Sequence, residues 1–239
     1  NLGQNNIIMK KILFLLAILA IIGCSDNNSE EKTINFSFSK SEMSIAVGTE
    51  YDLSLNGIDI EECNIYEEDE FIAGVSSYFG KANISARHTG NTKIIAEYKD
   101  KKAECRITVT SLVNYIGNPI LDFGASKDEI KIKLKSEILQ ETSDRIECKE
   151  DFKYPIYDTY HFKDDKLECI YSEVNVNTNS INIMNSLLER YKYISSESNV
   201  HWFSRPNKFI IRENERGGNG GYAVRYAKDK DTMGKYYQL

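Results

Sequence analysis

Five cysteines and three histidines are the side chains of this 239-residue chain best suited to covalent or metal chemistry. A thiolate needs a neighbouring base to act as a nucleophile, and the sequence offers Cys169 with His161, although buried structural cysteines are inert. No C-x-x-C pair occurs and the histidines are scattered, so the sequence predicts neither a metal site nor a cofactor. The G-x-S-x-G, H-E-x-x-H and Walker A patterns are also missing from the sequence. We therefore expect a protein that is not an enzyme.

A short apolar run near the N-terminus ends at Cys24. Met9, the expected start, opens a basic segment, and eleven apolar residues follow from Ile12 to Ile22. This run is too short to cross a bilayer and is typical of a signal peptide over residues 1–23. The alternatives are an ordinary signal peptide with a chance cysteine, or a short buried helix.

The end of that run, Ile21-Ile22-Gly23-Cys24, resembles the bacterial lipobox. The resemblance implies that the chain is cleaved before Cys24 and that Cys24 is acylated on its sulfur and its amino group. Ser25 in the next position implies the outer membrane of a Gram-negative bacterium. Several acyl chains on one residue give stable anchoring, and the polar residues up to 32 make 24–32 a lipidated tether.

The net charge of the chain bears on whether its partner could be a nucleic acid. The chain carries 30 basic and 36 acidic residues, a formal charge of −6, and the signal peptide would remove two lysines and no acid. Sequence-independent nucleic-acid binding needs a basic surface, so we expect no nucleic-acid partner.

Of the four remaining cysteines, two lie in residues 33–111 and two in residues 112–239. An exported protein folds where disulfides form, and pairing Cys63 with Cys105 and Cys148 with Cys169 is one of three connectivities. The alternative, equally open, is that each is a small buried apolar residue on a strand.

Residues 33–111 alternate as strands with one buried face do. Apolar residues occupy every second position from Ala103 to Val109, and turn residues such as Asn56-Gly57 separate the runs. The segments Met43–Thr49 and Thr89–Ala96 resemble the bacterial group 2 Ig-like domain. The resemblance implies an immunoglobulin-like all-β sandwich that serves as a spacer or adhesive module, without catalytic residues.

Residues 112–239 predict an α+β domain. Ser126 and Glu129 form a capping-box pattern before Ile130, Leu134 and Ile138 at helical spacing, and Met184 begins a second helical stripe. Three antiparallel strands are expected after each helix, so the helix-plus-sheet unit would be duplicated. The helix start at 123–130 resembles that of outer-membrane assembly lipoproteins and the β-lactamase inhibitor protein, which implies this geometry and a protein-binding role.

Aromatic residues are the remaining signal for binding, with fifteen tyrosines in the chain. Exposed aromatic rings give large, rigid contact areas for a protein or a glycan, whereas in the alternative the same rings fill the core. The candidate binding residues are Tyr154, Tyr157, Tyr160, Trp202 and Phe203.

The sequence therefore predicts a cell-envelope lipoprotein whose Ig-like stalk presents an α+β module to a protein or glycan partner. It would lie on the periplasmic or surface face of the outer membrane. The competing hypotheses are an envelope hydrolase with an unrecognised site in the C-terminal domain, and a structural assembly subunit.

The lipid anchor predicts the behaviour of a Cys24→Ala variant. Without the thiol no acyl chain is attached, so we expect the variant in the soluble fraction and without label after growth with radioactive palmitate. The unchanged chain should be labelled and membrane-bound. Membrane binding of Cys24→Ala would contradict the anchor.

Overall fold

A computed structural model describes residues 35–150, 155–174, 180–197, 200–215 and 221–237. The fold is mostly β-sheet, with several sheets and three short α-helices in these ranges. Cys24, the signal segment and the tether lie outside the described residues. Within the described ranges, no helix has the length and apolar character that crossing a bilayer requires.

Nine strands make up the N-terminal part, the name used here for β1–β9. Their order is β2-β9-β8-β5 in one sheet, β3-β7-β6 in a second and β1-β4 in a third, with β2 parallel to β9. A 3-10 turn at Ile60–Glu62 precedes β5. The strands are β1 Ser37–Phe38, β2 Glu42–Ala46, β3 Glu50–Leu53, β4 Leu55–Asn56, β5 Asn64–Glu67, β6 Ala73–Tyr78, β7 Lys81–Ala86, β8 Gly90–Tyr98 and β9 Lys101–Thr110.

One apolar core lies between the two larger sheets of this part. Ala103, Cys105, Ile107 and Val109 of β9 are buried while the residues between them are exposed, as the alternation predicts. Side chains of both sheets belong to the same buried cluster, Leu53 and Ile84 from one and Ile94 from the other. Burial of this apolar surface stabilises the pair of sheets.

Two hairpin turns and the entry of the described chain lie at the same end of the N-terminal part. The β6–β7 turn at 79–80 and the β8–β9 turn at 99–100 lie at one end, because β7 and β8 are joined at the other. β3 approaches the same end, since its last residue, Leu53, lies opposite Ala82 beside the first turn. β4 follows β3 and pairs with β1. We call this the N-terminal end, because the described chain enters there.

The described residues from 112 onward, called the C-terminal part, form one antiparallel sheet of eight strands with three helices. The strand order is β10-β11-β12-β13-β17-β16-β15-β14. The elements are α1 Lys127–Lys133, β10 Glu137–Glu141, β11 Arg145–Glu150, β12 Ile156–Lys163, β13 Lys166–Val174, α2 Ser180–Leu188, β14 Lys192–Glu197, β15 Val200–Arg205, β16 Phe209–Glu215, β17 Tyr222–Ala227 and α3 Lys230–Tyr237.

The order of one helix and four strands occurs twice, and β13 pairs with β17 where the halves meet. Three strands per half were predicted; the structure adds β10 and β14, the two edge strands. Every residue of these strands is exposed, so their sequences lack the alternation that marks a strand. Each carries a register irregularity at its third residue, Leu139 in β10 and Ile194 in β14.

The predicted capping box forms at the start of α1. The Ser126 hydroxyl accepts from the Glu129 N–H, and the Glu129 carboxylate accepts from the Ser126 N–H at 2.8 Å. The helix ends at Lys133, where Leu134 turns to extended backbone. Ile138, expected on the same helix, therefore lies on β10 instead.

Helices cover both faces of the sheet. Ile130 of α1 and Ile183 and Leu187 of α2 join the main core on one face, called the inner face. On the opposite, outer face, Met233 of α3 packs against Cys169. The sequence did not predict α3, whose mean hydropathy is low.

The two parts meet at the end opposite to the N-terminal end. The Glu189 carboxylate after α2 accepts from the Ser111 hydroxyl and from the N–H groups of Leu112 and Val113, at 3.0 and 3.1 Å for the latter two. Thr89 donates its N–H to the Glu189 carbonyl at 2.8 Å. These bonds hold the connecting segment against α2.

A second contact extends this junction. Arg205, at the end of β15, is ion-paired with Asp69, and its guanidinium lies 4.2 Å from the centre of the Phe71 ring. The other face of Phe71 stacks on His88 at 3.9 Å between ring centres. Burial lowers the pKa of His88, opposed by its hydrogen bond to the Phe71 carbonyl and assisted by the nearby charge of Arg205, so the stack favours the neutral ring.

A Glu189→Ala variant tests the junction. Three donors lose a charged acceptor, and we expect the free energy of unfolding to fall by about 2 kcal/mol in urea titrations. Amide hydrogen exchange at Leu112 and Val113 should accelerate. The control is Glu50→Ala on β3, an exposed carboxylate, and equal effects of the two variants would contradict this role for Glu189.

Candidate functional site

One row of side chains crosses the outer face of the eight-stranded sheet. The register places Trp202 of β15 beside Arg212 of β16, Arg212 beside Arg225 of β17, and Arg225 beside Tyr171 of β13. Thr159 of β12 continues the row. All five are partly exposed. We call Trp202, Arg212, Arg225 and Tyr171 the outer-face row.

Two like charges lie side by side at its centre. Arg212 and Arg225 are directly opposite on neighbouring strands, an arrangement that is destabilising unless something offsets it. Burial and then the Arg225 charge lower the pKa of Arg212. The Arg212 Nε is buried and makes no hydrogen bond to a described residue.

Aromatic rings flank this pair of guanidinium groups. Arg225 lies over Tyr171, 5.1 Å from the ring centre, and Lys230 of α3 lies 5.5 Å from the centre of the Trp202 ring. Guanidinium groups are suited to two-point recognition of carboxylate or phosphate. The row can therefore bind a ligand that carries an oxyanion beside an apolar surface.

The structure separates the predicted binding aromatics. Tyr157, 37% exposed, and Trp202 reach the outer face. Tyr160 and Phe203 do not: both are buried in the inner core, where the Tyr160 hydroxyl accepts from the Ile120 N–H at 3.0 Å. Alternation along a strand is the reason, since Tyr157 and Tyr160 are three residues apart and point to opposite faces. Tyr154 lies outside the described residues.

Arg212 and Arg225 were not identified from the sequence. Each is a basic residue that directly follows a run of apolar strand residues, Phe209–Ile211 before one and Tyr222–Val224 before the other. An arginine at such a position is the signal that could have found them.

The candidate disulfides are not formed, and all four cysteines are free thiols. Cys148 on β11 and Cys169 on β13 are separated by the whole of β12, so their Cα atoms lie farther apart than the ~6.8 Å that a disulfide allows. Cys63 precedes β5, which is likewise separated from the β9 strand of Cys105 by β8. Burial raises the pKa of Cys63, Cys105 and Cys148.

The Cys169–His161 pair is brought together, because the two residues are opposite each other on β13 and β12. Cys169 is fully buried beneath Met233 of α3, however, and burial lowers the pKa of His161. A substrate cannot reach this thiol, so the pair supports a packing role. In the described ranges no three His, Cys, Asp or Glu residues form a metal-binding group.

A buried polar row lies on the inner face. Asp158 is opposite Cys148 on one side and Ser172 on the other, and Ser172 donates its hydroxyl to Asp158 Oδ1 at 2.5 Å. The second oxygen, Oδ2, has no hydrogen-bond partner among the described residues. Burial raises the pKa of Asp158 to about 7, against the opposing effect of the Ser172 hydrogen bond.

Comparison with known proteins identifies no family. No family model matches the chain, and no curated protein matches it. Among solved structures, the chain is similar to domains 5–6 of the S-layer protein SbsC, with a TM-score of 0.29 and 13% identity over 82% of this chain and 83% of that one. Domains 4–9 of SbsC give 0.29 and 13% over 82% of this chain and 27% of the other.

Domains 1–6 of the same protein give a TM-score of 0.28 and 12% identity over 80% of this chain and 21% of the other. The chain thus spans less than a third of the two longer structures. At TM-scores below 0.5, these similarities identify neither a fold family nor a function.

The buried carboxyl group predicts a pH dependence of stability. The pKa of Asp158 is higher in the folded chain than its ordinary value of 3.8, so the folded state binds this proton more tightly. The resulting stabilisation amounts to about 4 kcal/mol at most. It is complete below pH ~4 and is lost as the pH rises to about 7.

Asp158→Asn should remove that dependence. We expect its free energy of unfolding to fall less between pH 4 and 7 than that of the unchanged chain, and to be the higher of the two above pH 7. Urea titrations across this range make the measurement, with Asp128→Asn on the exposed side of α1 as the control. Equal pH slopes for Asp158→Asn and the unchanged chain would contradict the pKa.

Proposed function

We propose that this protein is a non-enzymatic, lipid-anchored cell-envelope protein that binds a protein or glycan partner. The N-terminal part, within residues 33–111, is an Ig-like stalk, and residues 112–239 are an α+β module that presents the binding surface. The observation that carries the proposal is the outer-face row, in which two guanidinium groups lie between aromatic rings.

The composition of this row favours recognition. Arginine, tyrosine and tryptophan are enriched where proteins bind partners. Tyr157 lies on the same face as the row and is exposed to solvent. The two arginines favour a partner that presents carboxylate or phosphate groups, and the net charge of −6 argues against nucleic acid.

The arrangement of the two parts supports a stalk. The described chain enters at the N-terminal end, and the C-terminal part is attached at the opposite end through Glu189 and Arg205. The segment from Cys24 would therefore join the chain at the N-terminal end, and the binding module is attached at the opposite end of the N-terminal part. The lipobox supports attachment to a membrane, and Ser25 supports the outer membrane, on its periplasmic or surface face.

An assembly subunit is the second candidate, because both edge strands of the sheet expose apolar side chains. These are Ile138 and Leu139 on β10, and Tyr193 and Ile194 on β14. Exposed edges can pair with another chain. The irregularity in each edge strand disfavours such pairing, so binding by the outer face is the better supported function.

Partner capture from solubilised envelopes tests the binding surface. The full chain with its anchor is used unchanged, as Arg212→Ala with Tyr157→Ala, and as the control Ile132→Ala on exposed α1. We expect the double variant to lose at least tenfold of the partner, since truncation of a hot-spot residue costs about 2 kcal/mol or more, and the control to retain it.

Treatment of the captured material with protease or with glycosidases distinguishes a protein from a glycan. Undiminished capture by the double variant would show that the outer face is not the binding surface. Loss of partner in the Ile132→Ala control as well would place binding elsewhere.

A further inference from the structure

The β6–β7 turn carries the most exposed aromatic side chains of the N-terminal part. Phe79 is 84% exposed and Tyr78 is 65% exposed, and their rings contact each other at 4.3 Å between centres. Tyr78 pairs with Lys81, so Phe79 and Gly80 alone form the turn. Both have positive φ angles, 46° and 71°.

Phenylalanine is an unfavourable residue at this position. Two-residue hairpin turns with two positive φ angles strongly prefer asparagine, aspartate or glycine. Among the described residues, the other non-glycine residues with positive φ are all polar: Lys99, Asp164, Asp165 and Asn207. Phe79 therefore combines a strained backbone with an apolar ring in water, and no packing within the core requires it.

The turn lies at the N-terminal end, where the chain enters β1. Cys24 is eleven residues before Asn35, the first described residue. A fully extended segment of that length spans about 38 Å at most. A lipid on Cys24 would thus keep Asn35 within that distance of the membrane surface, so the N-terminal end could reach the membrane.

Charges near the turn do not form a basic patch, because acidic residues there at least equal the lysines Lys81, Lys99, Lys101 and Lys102. Lys81 is ion-paired with Asp52 at 3.7 Å, and Lys99, over the Tyr98 ring, precedes Asp100 in the neighbouring turn. Glu61 and Glu62 lie in the 3-10 turn before β5, whose first residue pairs near this end. The apolar rings, rather than attraction to anionic lipid, must therefore provide any affinity for a membrane.

We propose that the Tyr78–Phe79 turn inserts into the boundary between headgroups and acyl chains of the membrane that holds the Cys24 lipid. Tyrosine is enriched at this depth of a bilayer, and phenylalanine is among the residues that interfacial segments bury there. Two rings bind a membrane only weakly by themselves, but the acyl chains keep them at its surface. The proposal rests on the lipid anchoring proposed above.

Tryptophan fluorescence tests the insertion. The chain has a single tryptophan, so Trp202→Phe gives a background in which Phe79→Trp reports on the turn. The lipidated protein is reconstituted into vesicles of phosphatidylethanolamine and phosphatidylglycerol with brominated acyl chains, which quench at short range. The matched control is Ile132→Trp in the same background, at a site on α1 that is 85% exposed.

We expect the Phe79→Trp variant to shift its emission to shorter wavelength and to lose most of its intensity in these vesicles. The Ile132→Trp variant should show neither effect. A Phe79→Asn variant should keep or raise the urea midpoint, since Asn-Gly suits the turn. A fall in that midpoint would assign Phe79 a structural role and overturn the proposal.

The outcomes distinguish a failure of the proposed insertion from a failure of the proposed lipid anchor. If the protein floats with the vesicles but the Phe79→Trp emission is unquenched, insertion is overturned and the anchor stands. If the protein with intact Cys24 does not float, the anchor is overturned and the insertion with it. A blue shift that depends on protein concentration and needs no vesicles would identify a second copy as the occupant and overturn insertion.

Discussion

The antiparallel pairing of β13 with β17 is the contact on which the eight-stranded sheet depends. It joins the last strand of each half, and side chains alternate between the two faces along both strands. The register that sets Ser172 opposite Val224 in the inner core also sets Tyr171 opposite Arg225 on the outer face. A shift of one residue would bury Arg225 and expose the buried Tyr226, so packing and site depend on one alignment.

Local patterns account for the parts of the fold that the sequence predicted. The alternation in β9 is found in its burial, and the Ser126–Glu129 capping box begins α1. The same reasoning failed for β10 and β14, because strands exposed on both faces have no apolar period to detect. The helix α3 was missed for a related reason: only a few of its side chains, Met233 above all, are buried.

The candidate site was less predictable, because it depends on which strands become neighbours. Residue type alone could not separate Tyr157 from Tyr160 or Trp202 from Phe203, since each pair divides between the two faces by position along the strand. Arg212 and Arg225 are thirteen residues apart in the chain and become neighbours only through the β16–β17 register. Cysteine spacing was similarly uninformative about strands lying between the cysteines.

The junction at Glu189 and Arg205 fixes the orientation in which the binding module would be presented to a partner. Hydrogen bonds to consecutive amides and an ion pair stacked on Phe71 oppose rotation of one part against the other. The outer-face row therefore keeps one orientation relative to the N-terminal part, and a partner would meet a single arrangement of the two parts. With the proposed lipid anchor, confinement of this site to one membrane would raise its effective concentration toward partners in that membrane.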